Sequence, residues 1–418
     1  MKNVSRLSYP KLRWLDIQPY IHEGQQMWLF VDPMQLSDKQ LLLPPALAQF
    51  AVFLDGQRTL AEANALLAEQ AGFVLPDDVV AELVGQLDET CLLENERTAV
   101  AKRHLHDQFR AQPSRPPQIA GYGYPAEPTA LQAELDAYRA NDDPADAAQF
   151  ADWRGRALVS PHIDYQRGGN VYAKVWKRAE KAVQEADLIL MFATDHRGGL
   201  GSLTLTAVPY ATPYGVLPTD KELVQKLANT LGEENAYALE LNHQQEHSVE
   251  LAAVWLHHAL RGQTPPPLVP LLIGSFQHFV QNGGHPLRDE EMMAFVETLV
   301  EETRGRKVFC VASVDLAHVG PAFDDDFVMD GARREKLVAT DESLITAVLN
   351  GDEERFYNEI AAIQDANKVC GFSPLYLMLR YLNQRDGQPL RGHKIAYQHC
   401  PADAQDQSLV SICGLLLA

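Results

Sequence analysis

The chain has 418 residues, of which 46% are hydrophobic and 22% are charged, so it can form two or three folded domains and is neither low-complexity nor collagen-like. Its 36 lysines and arginines against 56 aspartates and glutamates give a formal net charge of −20, which argues against non-specific binding to nucleic acids or anionic membranes. The sequence shows neither an apolar run of the roughly 20 residues that span a bilayer nor a signal-peptide pattern, so we expect a cytoplasmic protein. The five cysteines are widely spaced and form no CxxC pair, which argues against a zinc ribbon or a disulfide framework and leaves a thiol or a metal ligand as functional roles.

The first 110 residues predict a small α+β domain. Residues 27–31 (MWLFV) favour a strand. Amphipathic patterns predict helices at residues 45–54, 59–71 and 77–88. The LDG turn at residues 54–56 and the LDETCLL segment at residues 87–93 resemble those of PqqD-like winged-helix domains. That resemblance implies an adaptor for peptides or partner proteins, and the alternative is a structural domain that binds no ligand.

Residues 111–128 predict a linker that leads into the second domain. The QPSRPP segment at residues 112–117 and the glycines that follow it disfavour helix and strand. We therefore divide the chain into a domain of residues 1–110, a linking segment of residues 111–128 and a larger domain of residues 118–418.

Strands and helices alternate in the larger domain. Apolar runs predict strands at residues 157–160, 188–194, 203–207, 268–274, 308–313 and 409–417. Helical patterns lie at residues 171–185, 219–231, 249–260, 289–304, 341–350, 353–364 and 374–383. Because strands that alternate with helices of this length form parallel sheets covered on both faces, the predicted fold class is α/β, with a central, mostly parallel sheet flanked by helices.

Histidine follows three of the predicted strands. His162, His196 and His318 each lie within five residues of the end of a strand. Functional groups collect beyond the carboxyl ends of strands in open α/β sheets. One such histidine is more often structural than functional. Three in equivalent positions indicate a metal or acid–base site, because imidazole is the commonest metal ligand and titrates near neutral pH.

Cys370 lies at the predicted start of a helix. The partial positive charge of a helix N-terminus favours the thiolate, which is the form that binds a metal or attacks a substrate. The alternative is a small buried side chain. Cys310 and Cys413 fit this alternative better than Cys370 does, because both lie in apolar strands.

Five motifs together resemble the Memo family. They are PHIDY at residues 161–165, DH at 195–196, EHSVE at 246–250, SVDLAH at 313–318 and CG at 370–371. Residues 120–126 (AGYGYPA) are similar to the family's N-terminal segment, so the likeness covers residues 118–418. The Memo family resembles the class III extradiol dioxygenases in fold, and the chain is similar to the B component of the AmmeMemoRadiSam system.

The resemblance implies a metal site of two histidines and one cysteine, here His162, His196 and Cys370. Two imidazoles and a thiolate leave a coordination position open for substrate, water or dioxygen. Iron(II) is the preferred metal and copper the second choice. Zinc is not excluded, because it accepts the same ligands.

The resemblance also places four further polar residues in the same cavity. They are Glu246, His247, Asp315 and His318. We expect His318 or His247 to move protons and Asp315 to orient His318.

The chain departs from the family pattern at several positions of this site. Ile163 and Asp164 replace small residues after Pro-His, and the Asp164 carboxylate can orient His162 or compete with it for the metal. Ile119 and Arg197 stand where the family has histidine. Substrate-side chemistry that depends on those histidines therefore does not transfer to this chain.

The sequence is compatible with three functions and does not decide whether the protein is an enzyme. The first is a dioxygenase-like or other oxidoreductase-type metal protein that acts on a small molecule or a peptide, with radical-SAM and AMMECR-like partners. The second is a non-catalytic metal-binding scaffold or peptide adaptor in that system. The third is a zinc metallopeptidase, because residues 243–247 (HQQEH) match the HxxEH pattern, in which two histidines on one helix face hold zinc and Glu246 is the general base.

Overall fold

A computed structural model describes residues 9–418 of the chain. These residues belong to two compact units, one that ends at Ala111 and one that runs from Gln112 to Ala418. Each unit has its own hydrophobic core.

The smaller unit combines an antiparallel sheet with helices. Within residues 9–111, the strands pair in the order β1 (Asp16–His22), β2 (Gln25–Val31) and β3 (Leu41–Leu43). The helices are α1 (Pro45–Val52), α2 (Leu60–Ala71), α3 (Asp77–Glu89) and α4 (Glu96–Ala111). Phe30 and Phe50 are buried in the core together with Leu67, Leu83 and Leu87.

The predicted strand and the three predicted helices of this unit are confirmed, whereas β1, β3 and α4 are not predicted by the sequence pattern. Six of the seven residues of β1 are exposed, so the strand lacks the apolar alternation that reveals a half-buried strand. Only Thr98 and Phe109 of α4 are buried, so that helix has almost no apolar stripe. The PqqD-like resemblance and the adaptor role that it implies stay predictions.

The larger unit contains the remaining elements. Its strands are β4 (Ala157–Ser160), β5 (Leu188–Thr194), β6 (Leu203–Thr204), β7 (Tyr210–Thr212), β8 (Gly215–Leu217), β9 (Leu268–Ile273), β10 (Val308–Ser313), β11 (His318–Val319), β12 (Gly392–Pro401) and β13 (Leu409–Leu417). Its helices are α5 (Pro128–Ala140), α6 (Pro144–Ala148), α7 (Tyr165–Gln184), α8 (Lys221–Leu231), α9 (Glu233–Tyr237), α10 (Asn242–Gln245), α11 (His247–Ala259), α12 (Gln277–Gln281), α13 (Glu290–Glu302), α14 (Gly331–Leu349), α15 (Glu353–Ala362) and α16 (Phe372–Asp386).

The main sheet of this unit has the order β11-β13-β4-β10-β5-β9-β6, and β12 pairs with β13. The central strands β4, β10, β5 and β9 are parallel, whereas β6, β11, β12 and β13 pair antiparallel with their neighbours. The predicted α/β fold with a mostly parallel sheet is therefore confirmed. Because β4, β10 and β5 are parallel neighbours, the loops that follow them emerge at the same edge of the sheet.

Helices cover both faces of the sheet. The side chains of β5 show this arrangement, because Leu190 and Phe192 pack in a core with α8, α13 and α16, whereas Ile189 and Met191 pack in a second core with α7 and α11. All seven residues of β5 are buried. Burial on both faces explains why the parallel strands are continuous apolar runs.

Residues 112–127 contain neither a helix nor a labelled strand, as the proline and glycine pattern predicts. The segment is nevertheless anchored, because Arg115 is completely buried in the larger unit. In the part of the chain that the structure describes, no helix is both long enough and apolar enough to cross a membrane.

Asp341 of α14 is completely buried, and its Oδ2 accepts a hydrogen bond of 2.7 Å from the hydroxyl of Tyr397 on β12. Burial raises the pKa of Asp341 to about 6 from an ordinary value of 3.8, against the hydrogen bonds that lower it. The folded state therefore holds this proton more tightly than the unfolded state, and the resulting stability is lost as the pH rises through about 6.

The variant Asp341→Asn should consequently be more stable than the unchanged protein at pH 8, by about 2 kcal/mol, and equally stable near pH 4. Urea unfolding across this pH range measures the difference. Glu342→Gln is the control, because Glu342 forms a partly exposed ion pair with Lys394 and its loss should cost under about 1 kcal/mol at any pH. A pH-independent difference between Asp341→Asn and the unchanged protein would contradict the prediction.

Candidate metal centre

His162 lies two residues beyond β4 and is 2% exposed. Its Nδ1 is 3.0 Å from the main-chain oxygen of Ser313, the last residue of β10. Because a carbonyl oxygen only accepts hydrogen bonds, Nδ1 carries the proton and Nε2 keeps its lone pair. Burial, together with the neighbouring imidazoles of His196 and His247, lowers the pKa of His162 well below its ordinary value. The ring is thus a neutral imidazole, which is the form that binds metals.

His196 lies two residues beyond β5, and Glu246 fixes its orientation. The Nδ1 atom is 2.9 Å from Oε1 of Glu246, and the main-chain nitrogen donates to Oε2 at 3.0 Å. Burial opposes protonation, but hydrogen bonds to Cys370 and Glu246 raise the pKa of His196 to about 10. A metal ion that binds His196 must therefore displace a proton.

Glu246 occupies the break between α10 and α11 and caps α11. Its Oε1 accepts hydrogen bonds from the main-chain nitrogens of His247 and Ser248, at 2.9 and 3.0 Å. Burial raises the pKa of Glu246, but the hydrogen bond and charge of His196 outweigh it and hold the pKa well below its ordinary value. Glu246 is therefore an anion whose oxygens are already occupied by donors.

Cys370 is partly buried and directly precedes Gly371, the N-cap of α16. Its Sγ is 3.3 Å from Nε2 of His162 and 3.4 Å from the main-chain oxygen of Asp315. Burial raises the pKa of the Cys370 thiol, although a hydrogen bond to His196 works against this increase. Burial thus favours the neutral thiol, and the contribution of the helix N-terminus to the thiolate stays a prediction.

The structure brings His162, His196 and Cys370 together. One ligand atom of each lies within 4.8 Å of those of the other two. A second group is made of His196, Glu246 and His247, whose ligand atoms also lie within 4.8 Å of one another. We favour the first group, because the carboxylate of Glu246 is already used to cap α11 and to orient His196.

His247 lies beside this centre. Its ring stacks on that of His196 at a centroid distance of 4.8 Å, and its Nδ1 is 3.2 Å from Oε1 of Glu246. Burial lowers the pKa of His247, so the ring is mainly neutral at pH 7. Glu246 and His247 are thus both next to the triad, as the sequence predicts, but Glu246 supports His196 and does not line the cavity.

Asp315 hydrogen-bonds His162 and not His318, so the prediction that it orients His318 is wrong. Its Oδ1 accepts a hydrogen bond of 2.9 Å from the main-chain nitrogen of His162, and its Oδ2 is 3.7 Å from Nε2 of the same residue. The Nδ1 of His318 instead faces the carbonyl oxygens of Leu316 and Lys368, both at 3.2 Å. Burial raises the pKa of Asp315 to about 7 and lowers that of His318 to about 4.

The metallopeptidase hypothesis is also wrong, because the HxxEH residues do not lie on one helix. His243 belongs to α10 and His247 begins α11, and the backbone between them is extended at Glu246, with φ −73° and ψ 129°. His243 is completely buried, with Nδ1 2.7 Å from the hydroxyl of Tyr210 and Nε2 3.1 Å from the main-chain oxygen of Thr204. Neither nitrogen is available for zinc.

A cavity of about 680 Å³ opens beside the centre. Its polar end is formed by His162, His196, His247, Asp315 and His318. The remaining wall is mainly apolar and includes Ile119, Ile163, Leu251, Phe323 and Val410. Cys370 is not among the residues that line the cavity.

The positions that depart from the family pattern have distinct surroundings. Ile119 and Ile163 are part of the apolar wall. Asp164 caps α7 and forms an ion pair with Arg167, so its carboxylate is occupied and does not compete for the metal. Arg197 hydrogen-bonds Gln245 at the surface and does not line the cavity.

Together, the fold and the site define an α/β protein with a two-histidine, one-cysteine candidate metal centre at the edge of a mostly parallel sheet. Residues 115–416 match the family model described as Memo-like protein. The match covers well over half of the chain, so this chain belongs to the Memo-like protein family.

Relatives from bacteria and archaea are named MEMO1 family proteins. A MEMO1 family protein of Aquifex aeolicus is 21% identical over 411 residues, which cover 97% of this chain and 99% of the relative. Those of Thermus thermophilus and Methanosarcina barkeri are 26% and 27% identical, over 80% and 63% of this chain and 93% and 85% of their own. The crystal structure of the uncharacterized protein JW3007 from Escherichia coli K12 aligns with 63% of this chain and all of its own, at a TM-score of 0.34 and 15% identity.

Proposed function

We propose that this Memo-family protein binds a redox-active metal ion through His162, His196 and Cys370 and uses it for oxidoreductase-type chemistry on a small molecule. Iron(II) is the first choice and copper the second. The observation that carries the proposal is the convergence of three ligand atoms within 4.8 Å of one another beside a cavity of about 680 Å³.

The donor set supports a metal ion at this position. Each imidazole has its Nδ1 next to an acceptor, the oxygen of Ser313 for His162 and the carboxylate of Glu246 for His196. Metal-bound histidines have this arrangement, in which the hydrogen bond at one ring nitrogen fixes the tautomer and orients the other nitrogen towards the ion. A bound iron or copper ion would supply redox and Lewis-acid chemistry next to the cavity.

His318 and His247 are the groups that can move protons there. The Nδ1 of His318 faces two carbonyl oxygens, so it carries the proton and leaves Nε2 as an acceptor. The pKa of His318 is about 4, so the ring is neutral at pH 7 and accepts a proton at Nε2 only as a weak base. His247 shares the Glu246 carboxylate with His196 and lines the same cavity.

The walls of the cavity favour a neutral, mainly apolar substrate. Among the described residues Arg167 is the only arginine or lysine that lines the cavity, and its guanidinium is already bound to Asp164 and to the main-chain oxygen of Pro401. Apart from the metal centre with His196, the cavity therefore offers an anionic group no free cation. Ile119, Ile163 and Phe323 offer apolar contact instead.

Elemental analysis of chain purified without a histidine tag or a chelator tests the proposal. The unchanged protein should hold iron or copper, and His162→Ala, His196→Ala and Cys370→Ser should each lower the metal affinity at least about 10-fold. Cys91→Ser and His399→Ala are the controls, because neither residue belongs to a candidate metal group. Equal metal in all variants would refute the site, and a protein that binds only zinc would refute its redox role.

The proposed context is a system with a radical-SAM protein and an AMMECR-like protein in the cytoplasm. Support comes from the sequence resemblance to the B component of such systems, and the small N-terminal unit is the proposed adaptor for a peptide or partner. Co-purification of the full chain with a radical-SAM protein from the same genome tests this association, and failure to co-purify would remove it from the proposal.

A further inference from the structure

We infer that Arg115 is a positioning residue that fixes Glu246 and, through Glu246, the imidazole of His196. The geometry does not depend on a bound metal, although its importance for activity rests on the proposed function. The proline-rich pattern around Arg115 predicts a linker and no functional role for this residue.

Arg115 is completely buried, and its guanidinium bonds the two sides of one helix break. Its Nε donates to the main-chain oxygen of His243 on α10, and its Nη2 donates to the main-chain oxygen of Glu246, both at 2.9 Å. The planar guanidinium thereby fixes the distance and angle between these two carbonyls. Glu246 lies at this break, and its side chain extends from there to the imidazole of His196.

Glu246 transmits this constraint to the metal centre. Both of its carboxylate oxygens accept hydrogen bonds from His196, Oε1 from Nδ1 at 2.9 Å and Oε2 from the main-chain nitrogen at 3.0 Å. A shift of the Glu246 backbone would therefore rotate or release the imidazole. Mutation of a side chain that orients a ligand in this way typically weakens metal binding about 10- to 100-fold.

The remaining nitrogen of the guanidinium, Nη1, pairs with Glu250 of α11, which is 1% exposed. The carboxylate of Glu250 also accepts from the main-chain nitrogens of Gln118 and Ile119, at 2.8 and 3.0 Å, and from the hydroxyl of Tyr124 at 2.5 Å. The same buried pair thus holds the segment that brings Ile119 to the cavity wall. The Arg115–Glu250 pair thus links the cavity wall at Ile119 to Glu246, which orients His196.

The test needs variants that leave no uncompensated buried charge. Replacing a buried ion pair by apolar or neutral residues of similar size is often neutral for stability, whereas removing one partner alone leaves an uncompensated charge. The double variant Arg115→Met, Glu250→Gln therefore removes both charges and leaves neither of them unpaired. Arg115→Lys is a second variant, which keeps the charge but cannot bond the two carbonyls with one planar group.

A matched control exists elsewhere in the same unit. Arg178 and Asp142 form another buried pair, with bonds of 2.7 and 3.2 Å and side-chain exposures of 4% and 1%. Neither residue lines the cavity or contacts Glu246 in the described structure. The control variant is Arg178→Met, Asp142→Asn.

The readouts are the ¹⁵N–¹H NMR signals of the histidine rings in the full metal-free chain and the dissociation constant for Co²⁺. In both Arg115 variants the signal of the His196 Nδ1 proton bound to Glu246 should shift or vanish, and Co²⁺ should bind about 10- to 100-fold more weakly. The control variant should keep the wild-type signal and affinity.

An unchanged His196 signal in the two Arg115 variants would overturn the inference, as would an equal loss in the Arg178 control. The NMR readout needs no metal. If the unchanged protein binds no Co²⁺, the proposed function fails while the positioning role of Arg115 is still decided by the ring signal.

Discussion

Glu246→Gln should weaken metal binding about 10- to 100-fold and lower the free energy of unfolding by about 2 kcal/mol. Four N–H groups converge on the two carboxylate oxygens of Glu246, and they belong to His196, His247 and Ser248. A glutamine offers one acceptor oxygen and one NH₂ group, so at least one of these donors would face another donor. The variant loses part of the helix cap and the orientation of His196 together.

Isothermal titration with Co²⁺ and urea unfolding measure the two effects. The matched control is Glu127→Gln, because Glu127 is also a glutamate N-cap, with a bond of 2.8 Å from the main-chain nitrogen of Ala130 on α5, and it does not line the cavity. The control should lose stability but keep its metal affinity. Wild-type affinity in Glu246→Gln would contradict the assignment of Glu246 as the residue that orients His196.

Gly274→Ala should destabilise the protein by about 3 kcal/mol and reduce its metal content. Gly274 directly follows β9 and packs against the loop that follows His196. A Cβ atom at this position would lie 1.9 Å from the main-chain oxygen of Gly199 and 2.5 Å from Oγ of Ser202. Because the closest atom belongs to the backbone, no side-chain rotation relieves the overlap, and the loop itself must move.

Thermal unfolding and metal analysis of Gly274→Ala test this expectation. Gly331→Ala is the control, since a Cβ at Gly331, the first residue of α14, meets no atom within 4 Å. That variant should be unchanged or slightly more stable, because alanine restricts the unfolded chain. A Gly274→Ala protein with native stability and metal content would show that the loop after His196 has room to adjust.

The buried strands are the part of the fold that the sequence predicts best. The ranges of β4, β5, β10 and β13 are confirmed residue for residue, because each strand is buried on both faces and appears as a bounded apolar run. The sequence does not predict β12, because its ten residues include lysine, glutamine and two histidines and most of them are half-buried. The strand pairs only with β13. Its pairing partner, rather than its own composition, makes it a strand.

The candidate site is predicted in part. The residues His162, His196 and Cys370 follow from motifs at strand ends and from the family resemblance, and the structure brings them together. Their hydrogen-bond partners do not follow, because they are distant in sequence and several are main-chain atoms, such as the oxygen of Ser313. For the same reason Asp315 is assigned to the wrong histidine and Arg115 to a linker.

The three ligand atoms come from residues up to 208 positions apart in the chain. During synthesis, both imidazoles therefore leave the ribosome long before the thiol does. A metal ion that needs all three ligands can bind only after the chain has brought them together, and it then adds stability according to its free concentration and its affinity for the folded protein. Which ion a cell installs then depends on what is available after folding, so growth medium and expression host should be treated as variables whenever metal content is assigned.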